Sequence, residues 1–188
     1  MPMEPKKMQK SILAVFFAVI SMFTAPMSMA DEFSEPAILT VTGNVAKPNR
    51  GPIDPFDDVV FNFMGIEFEN GFTFSHSELK SLPQRTLRLR YPDWPGELEV
   101  VGPSIVDVLK AAGAEGGTVL VQAIDGYAFE FTGEDIARDK MVLAMSVDGR
   151  GLSLGGRGPL WLVGPTDSFT GQEAEEGFVF AVIRIDVQ

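Results

Sequence analysis

Beyond residue 37 the apolar residues come in short runs, most of them alternating with polar ones. Glycine, proline, Asn-Gly or Asp-Gly closes each run. A period of two puts alternate side chains on one face of a strand, and this punctuation leaves room only for many short strands and brief helices. The pattern predicts an α+β fold, a β-rich mixed-sheet core with a few short helices, with residues 31–188 forming a single domain. Strands are expected at Ile38–Gly43, Arg85–Tyr91, Glu97–Val101, Thr118–Ala123, Tyr127–Phe131, Met141–Val147, Pro159–Val163 and Gly177–Val187. The run VVFNFMGIEFENGFTF reads as a hairpin or meander. Asn70-Gly71 would turn it, and Phe61, Phe63, Phe68, Phe72 and Phe74 would pack. The preceding KPNRGPIDPFDD is rich in loop formers.

Two helices carry their own signals. Ser75 and Glu78 fit a capping box for a short helix that Pro83 stops. In GPSIVDVLKAAG, Pro103 suits a first helical turn, Ile105, Val108, Leu109 and Ala112 form a buried stripe, and Gly113 is a C-terminal stop. A third short helix is expected at Thr132–Arg138.

Residues 1–30 read as a secretory signal. Lys6, Lys7 and Lys10 precede the apolar run Ile12–Phe23, and Ser28-Met29-Ala30 supplies the small residues of a cleavage site. The run is short for a membrane span, and an uncleaved anchor is the alternative. Cleavage after Ala30 predicts a periplasmic or secreted chain with no membrane association. Without this segment 12 basic residues face 25 acidic ones, a net charge of −13. Such a charge repels nucleic acid and anionic membranes. The chain has no cysteine, which excludes disulfides, thiolate metal sites and cysteine nucleophiles. Its one histidine, His76, falls in the first turn of a short helix and is read as incidental.

Four stretches are candidates for function. VDGRGLSLGGRGPLWLVGP (147–165) crowds glycines around Arg150 and Arg157. It lacks the Lys-Ser/Thr and the following helix of a phosphate loop, so it reads as turns with both arginines solvated, although Arg157 is placed to meet an anion. The loop Tyr91-Pro92-Asp93-Trp94-Pro95-Gly96 is either a ligand-pocket wall or a rigid corner of the core. Asp125 and Tyr127 flank Gly126 in an expected Asx turn with Tyr127 packed inward; the functional alternative is a ligand-orienting pair. The acidic loop 166–176 lacks the ligand spacing of a calcium loop and reads as solvated. No catalytic or metal-ligating residue is assigned.

In order, LKSLPQ (79–84), GPSIVDVLKAAGAEGG, AIDGY, LAMSVDGRGLS and GRGPLWLVGPTD resemble the molybdopterin-binding domain of sulfite-oxidase-type oxidoreductases, and more narrowly its small secreted members. The resemblance covers roughly Ile38 to Asp167 and is best over Ser104–Asp167. It implies the mixed, β-rich fold of that family and makes molybdopterin the one cofactor to consider. Catalytic members hold molybdenum through a cysteine in the loop that corresponds to Tyr91–Gly96, which has none here. Basic residues that follow the family's last apolar strands are replaced by Glu173, Glu175 and Glu176. Gly155 and Gly156 stand where small secreted members carry charge.

The resemblance and its departures lead to an exported, non-catalytic domain. It would bind a small molecule or a protein partner through Tyr91–Gly96, Tyr127 and Arg157, without a cofactor. One alternative is an oxidoreductase that holds molybdopterin with oxygen ligands from Asp93 or Tyr91. Another is a periplasmic partner or sensory subunit that uses the acidic loop.

Overall fold

The computed structural model describes residues 34–137, 140–165 and 177–188. The expected signal segment, Arg138 and the acidic loop 166–176 lie outside them. In chain order the elements are β1 (Ala37–Gly43), α1 (Val59–Phe63), β2 (Gly71–Ser75), α2 (His76–Ser81), β3 (Gln84–Leu89), β4 (Leu98–Pro103), α3 (Ile105–Ala112) and β5 (Thr118–Ala123). They continue with β6 (Ala128–Thr132), α4 (Gly133–Ala137), β7 (Val142–Ala144), β8 (Ser146–Val147), β9 (Arg150–Gly151), β10 (Trp161–Val163) and β11 (Val182–Val187). The protein is therefore α+β, with mixed strand pairing and short helices.

The main sheet has the order β2-β1-β11-β5-β6, and only its β1–β11 pair is parallel. A four-stranded antiparallel sheet, β3-β4-β8-β9, and the β7–β10 pair complete the β structure of the described residues. Val41, Val121 and Ile185 from three central strands share one core with the α3 stripe Ile105, Val108, Leu109 and Ala112. Each fully buried Val, Leu or Ile contributes about 1.5–3 kcal/mol. Gly102 is required where β4 meets β7, because a Cβ there would collide with the Leu143 carbonyl.

The opposite face of the main sheet carries a partly buried polar network. Arg184 donates from Nε to Thr42 Oγ1 (2.9 Å), from Nη1 to Gln122 Oε1 (3.2 Å) and from Nη2 to Asp186 Oδ1 (2.6 Å). The Thr42 hydroxyl donates in turn to Asp186 Oδ1 (2.5 Å). Burial pushes the Arg184 guanidinium below its ordinary value, and the Asp186 carboxylate opposes that shift. The network joins β1, β11 and β5 by side chains as well as by the ladder.

Over this face lies the excursion 44–70, fastened by polar bonds. Asn49 exchanges hydrogen bonds with the Thr73 backbone (3.0 and 2.7 Å). Arg50 pairs with Asp58 at 2.5 Å and lies over the Phe68 ring. Asp54 Oδ1 accepts the N–H groups of Phe56 (2.7 Å) and Asp57 (2.9 Å), which hold its carboxyl below the usual range, Asp57 contributing most.

Several expectations need correction here. Val59–Phe63 is a helix: none of the described strands pairs with it, and its backbone bonds close locally, Asn62 N–H to Asp58 O (2.9 Å) and Met64 N–H to Val60 O (3.0 Å). Phe63 is 92% exposed rather than packed, whereas Phe74 is buried and Phe61 meets Phe68 edge to face. Pro103 ends β4, and Ser104 caps α3 by accepting the Asp107 N–H (3.1 Å). The expected strand Met141–Val147 breaks at Met145, whose N–H turns to Val101 O (2.8 Å). Gly177–Val187 is strand only from Val182, because Ala181 takes a positive φ of 50°. The capping box at Ser75 and Glu78, the α3 stripe and the left-handed Gly113 are as expected.

Arg184→Ala should lower the unfolding free energy by about 1.5–3 kcal/mol, since it removes charge-assisted bonds to the half-buried Asp186; urea denaturation measures this. Asp54 is held ionised in the fold, so its contribution is complete above the ordinary aspartate pKa and disappears as pH falls through its lowered value. The Phe56 and Asp57 amide resonances should stay native through the ordinary aspartate range, shift only at lower pH, and lose that titration in Asp54→Asn.

Candidate functional site: an arginine on an aromatic cluster

The segment leading into β11 pairs with the segment leading into β10. Leu162 and Val179 exchange backbone hydrogen bonds (2.8 and 3.2 Å), the Ala181 N–H donates to Arg157 O (3.0 Å), and the Val182 N–H donates to Leu160 O (2.9 Å). This pairing brings Trp161, Phe178 and Phe180 together. Trp161 stacks on Phe180 with centroids 5.5 Å apart and meets Phe178 edge to face at 6.1 Å. From the 91–96 loop, Tyr91 packs on Phe178 (5.2 Å) and Trp94 on Trp161 (5.4 Å), with Tyr91 and Trp94 in mutual contact at 4.7 Å.

Arg157 closes the cluster. Its backbone is fixed by the bond from Ala181, and its guanidinium carbon lies 5.1 Å from the Trp161 ring and 5.3 Å from that of Phe180. A guanidinium over an aromatic face gains about 0.5–1 kcal/mol at an exposed site. No carboxylate of the described residues pairs with Arg157, which is exposed. The following Gly158 cannot carry a side chain, since a Cβ would strike the Leu152 backbone.

Two clefts adjoin this arrangement. One, of about 240 Å³, is lined by Ala123, Asp125, Tyr127, Phe178 and Phe180. The other, of about 250 Å³, is lined by Val147, Arg150, Gly151, Leu152, Ser153 and Arg157. The Trp161 Nε1–H is buried and has no hydrogen-bond partner. An unsatisfied buried donor costs about 1–3 kcal/mol. In a chain of net charge −11 the second cleft thus gathers two cations, Arg150 and Arg157, donors suited to an anion, whereas the first carries the Asp125 carboxylate and Trp161 lines neither.

The residues singled out in the sequence do not all converge. Trp94 and Arg157 join the cluster, Asp125 and Tyr127 line the first cleft, and Arg150 lines the second. Tyr91 is buried and its hydroxyl donates to Gly164 O (2.6 Å), so it props the site from within. Asp93 is exposed and lines neither cleft. The Asx turn is present, with the Tyr127 N–H donating to Asp125 Oδ1 (2.9 Å), but the Tyr127 side chain faces outward at 46% exposure. Asp148 and Gly149 both adopt positive φ, 49° and 72°, in the β8–β9 turn, and Gly155 does so at 85°. These are the expected turns; Arg157, however, rests on two rings and is not merely solvated. Trp161, Phe178 and Phe180 fall within expected strands, and nothing local in the sequence discloses the pairing that joins them.

No protein-family model matches the chain, and no curated protein matches it.

Tyr91→Phe should cost about 1 kcal/mol of stability through the lost bond to Gly164. Arg157→Ala should cost less than about 1 kcal/mol and alter the tryptophan emission. Thermal melts with parallel fluorescence spectra separate the prop from the exposed cation.

Proposed function

We propose that this chain is an exported, non-catalytic binding domain on the molybdopterin-binding architecture of sulfite-oxidase-type oxidoreductases, and that it holds a small molecule bearing an acidic group at Arg157. One observation carries the reading: an arginine without a carboxylate partner among the described residues lies across Trp161 and Phe180 between two clefts. Arginine presents its N–H groups as a fork that matches carboxylate and phosphate geometry, and charge-assisted bonds of this kind are the strong ones. The exposed rings of Tyr127 and Phe180 in the first cleft offer a planar ligand a face to stack on. Arg150, on the second cleft, adds a further cation for the same anion.

The metal end of the family's cofactor does not fit these residues. The chain has no thiol. The Tyr91 hydroxyl is committed to Gly164 O, and Asp93 is a single exposed carboxylate. Among the described residues no three His, Cys, Asp or Glu side chains stand close enough to hold a metal ion. The donor set instead supports anion binding, so no redox step is assigned.

Protein exported from a host that makes the molybdenum cofactor should carry neither molybdenum nor pterin near one equivalent, by elemental analysis and by fluorescence of released, oxidised pterin. Near-stoichiometric molybdenum would overturn the reading. Titration with small aromatic carboxylates and phosphates should change the tryptophan emission, neutral analogues should not, and Arg157→Ala should weaken binding about tenfold to a hundredfold. Affinities unchanged in both Arg157→Ala and Trp94→Ala would show that the surface is wrongly assigned.

A further inference from the structure

One strained residue joins the segments that carry the two clefts. Ala181 takes a positive φ of 50°. That conformation is costly for a residue with a Cβ, and such outliers cluster at ligand sites. Both backbone groups of Ala181 are engaged there. Its N–H donates to Arg157 O (3.0 Å), and its carbonyl accepts the Ile124 N–H (3.0 Å). Ala181 thereby fastens the Arg157 segment on one side and the start of the Asp125 turn on the other. The ring of the preceding Phe180 belongs to both. It lies 5.3 Å from the Arg157 guanidinium carbon, and it lines the first cleft with Asp125, Tyr127 and Phe178.

Two unlike charges are thus held beside one ring without meeting. Asp125 and Arg157 are both exposed, and neither forms an ion pair with the other or with any other described residue. Asp125 Oδ1 accepts the Tyr127 N–H (2.9 Å), which orients the carboxylate and leaves Oδ2 without a partner among the described residues. Tyr127 and Phe180 are 46% and 43% exposed, so the same cleft offers aromatic surface next to that carboxylate. No cationic side chain lines it. Such a lining suits a positively charged nitrogen, which a carboxylate meets by a charge-assisted bond and a ring by cation–π attraction. A ligand that is only an anion, seated at Arg157 with its ring in this cleft, would meet Asp125 as a like charge. A metal ion would need more oxygen ligands than one carboxylate supplies.

We infer that the ligand is a zwitterion: a small molecule whose acid group meets Arg157 and whose ammonium nitrogen meets Asp125 and the rings of Tyr127 and Phe180. This rests on the reading given to Arg157 and adds the opposite end of the same molecule. The first cleft, about 240 Å³, is smaller than the roughly 300–1,000 Å³ of drug-sized sites, so the ligand is compact.

The test uses the full chain and probes built on one ring, followed by titration calorimetry. Toluate carries the acid alone, methylbenzylamine the ammonium alone, and the meta and para isomers of (aminomethyl)benzoate carry both. At least one zwitterion should bind about tenfold more tightly than toluate. Asp125→Asn should cancel that advantage and leave toluate unchanged; an asparagine oxygen can still accept the Tyr127 N–H, and circular dichroism confirms folding. Tyr127→Leu, which leaves the carboxylate in place, should reduce the advantage severalfold. Equal affinity for toluate and both zwitterions, or an advantage that survives Asp125→Asn, would overturn the proposal and leave the Arg157 reading standing. Toluate binding indifferent to Arg157→Ala would sink that earlier reading instead, and this one with it. Methylbenzylamine bound as tightly as the better zwitterion would overturn the proposal in favour of a site for cations alone. Failure of every probe to bind would overturn both readings.

Discussion

The parallel pairing of β1 with β11 is the contact on which the rest of the molecule depends. It joins residues 144 positions apart, and Arg184 reinforces it from within by bonding to Thr42 on the neighbouring strand. A buried guanidinium is tolerated only if its donors are used, and Thr42, Gln122 and Asp186 use them. With β11 seated, β5 and β6 can pair on its other side, and the segment before it is led past β10. The aromatic cluster and the placement of Arg157 follow from that lead-in. The site is thus an outcome of strand order in the main sheet, whose β5–β6 turn also lines the first cleft.

A chain without cysteine must obtain its rigidity by other means, and two are visible. One is the polar network on the outer face of the main sheet, which cross-links three strands as a disulfide would cross-link two. The other is the aromatic cluster, where Tyr91, Trp94, Trp161 and Phe178 from three separated segments lock a proline-rich loop onto the core. Of the two readings open for that loop, a rigid corner describes Tyr91 and Trp94, since both pack in the aromatic cluster and Trp94 lines neither cleft.

What the sequence disclosed was whatever local chemistry decides. Ser75 with Glu78, the α3 stripe and its Gly113 stop, Asp125-Gly126 and Asp148-Gly149 all act within a few residues, and all stand as expected. Val59–Phe63 misled because its alternation suits a strand, while a strand also needs a partner, and none of the described strands pairs with it. Pro103 and Met145 were misjudged for a related reason: pairing with Gln84 and Val101 decided their conformations, and pairing is not written in any short window. The site divides along the same line. Arg157, Trp94, Asp125 and Tyr127 announced themselves as unusual residues in turns. Phe178 and Phe180 looked like ordinary strand residues until the lead-in to β11 placed them against Trp161.

The central position of β11 also governs timing. It is the most C-terminal of the described strands and lies between β1 and β5, so the main sheet cannot close until every other described strand has been made. Before then β1 and β5 each present an unpaired edge, the kind of edge that accepts a strand from another molecule. Closing so long a loop is slow compared with forming local hairpins or α3. The fold is therefore completed in a single late step, and the interval before it is when two copies of this chain are most exposed to exchanging strands.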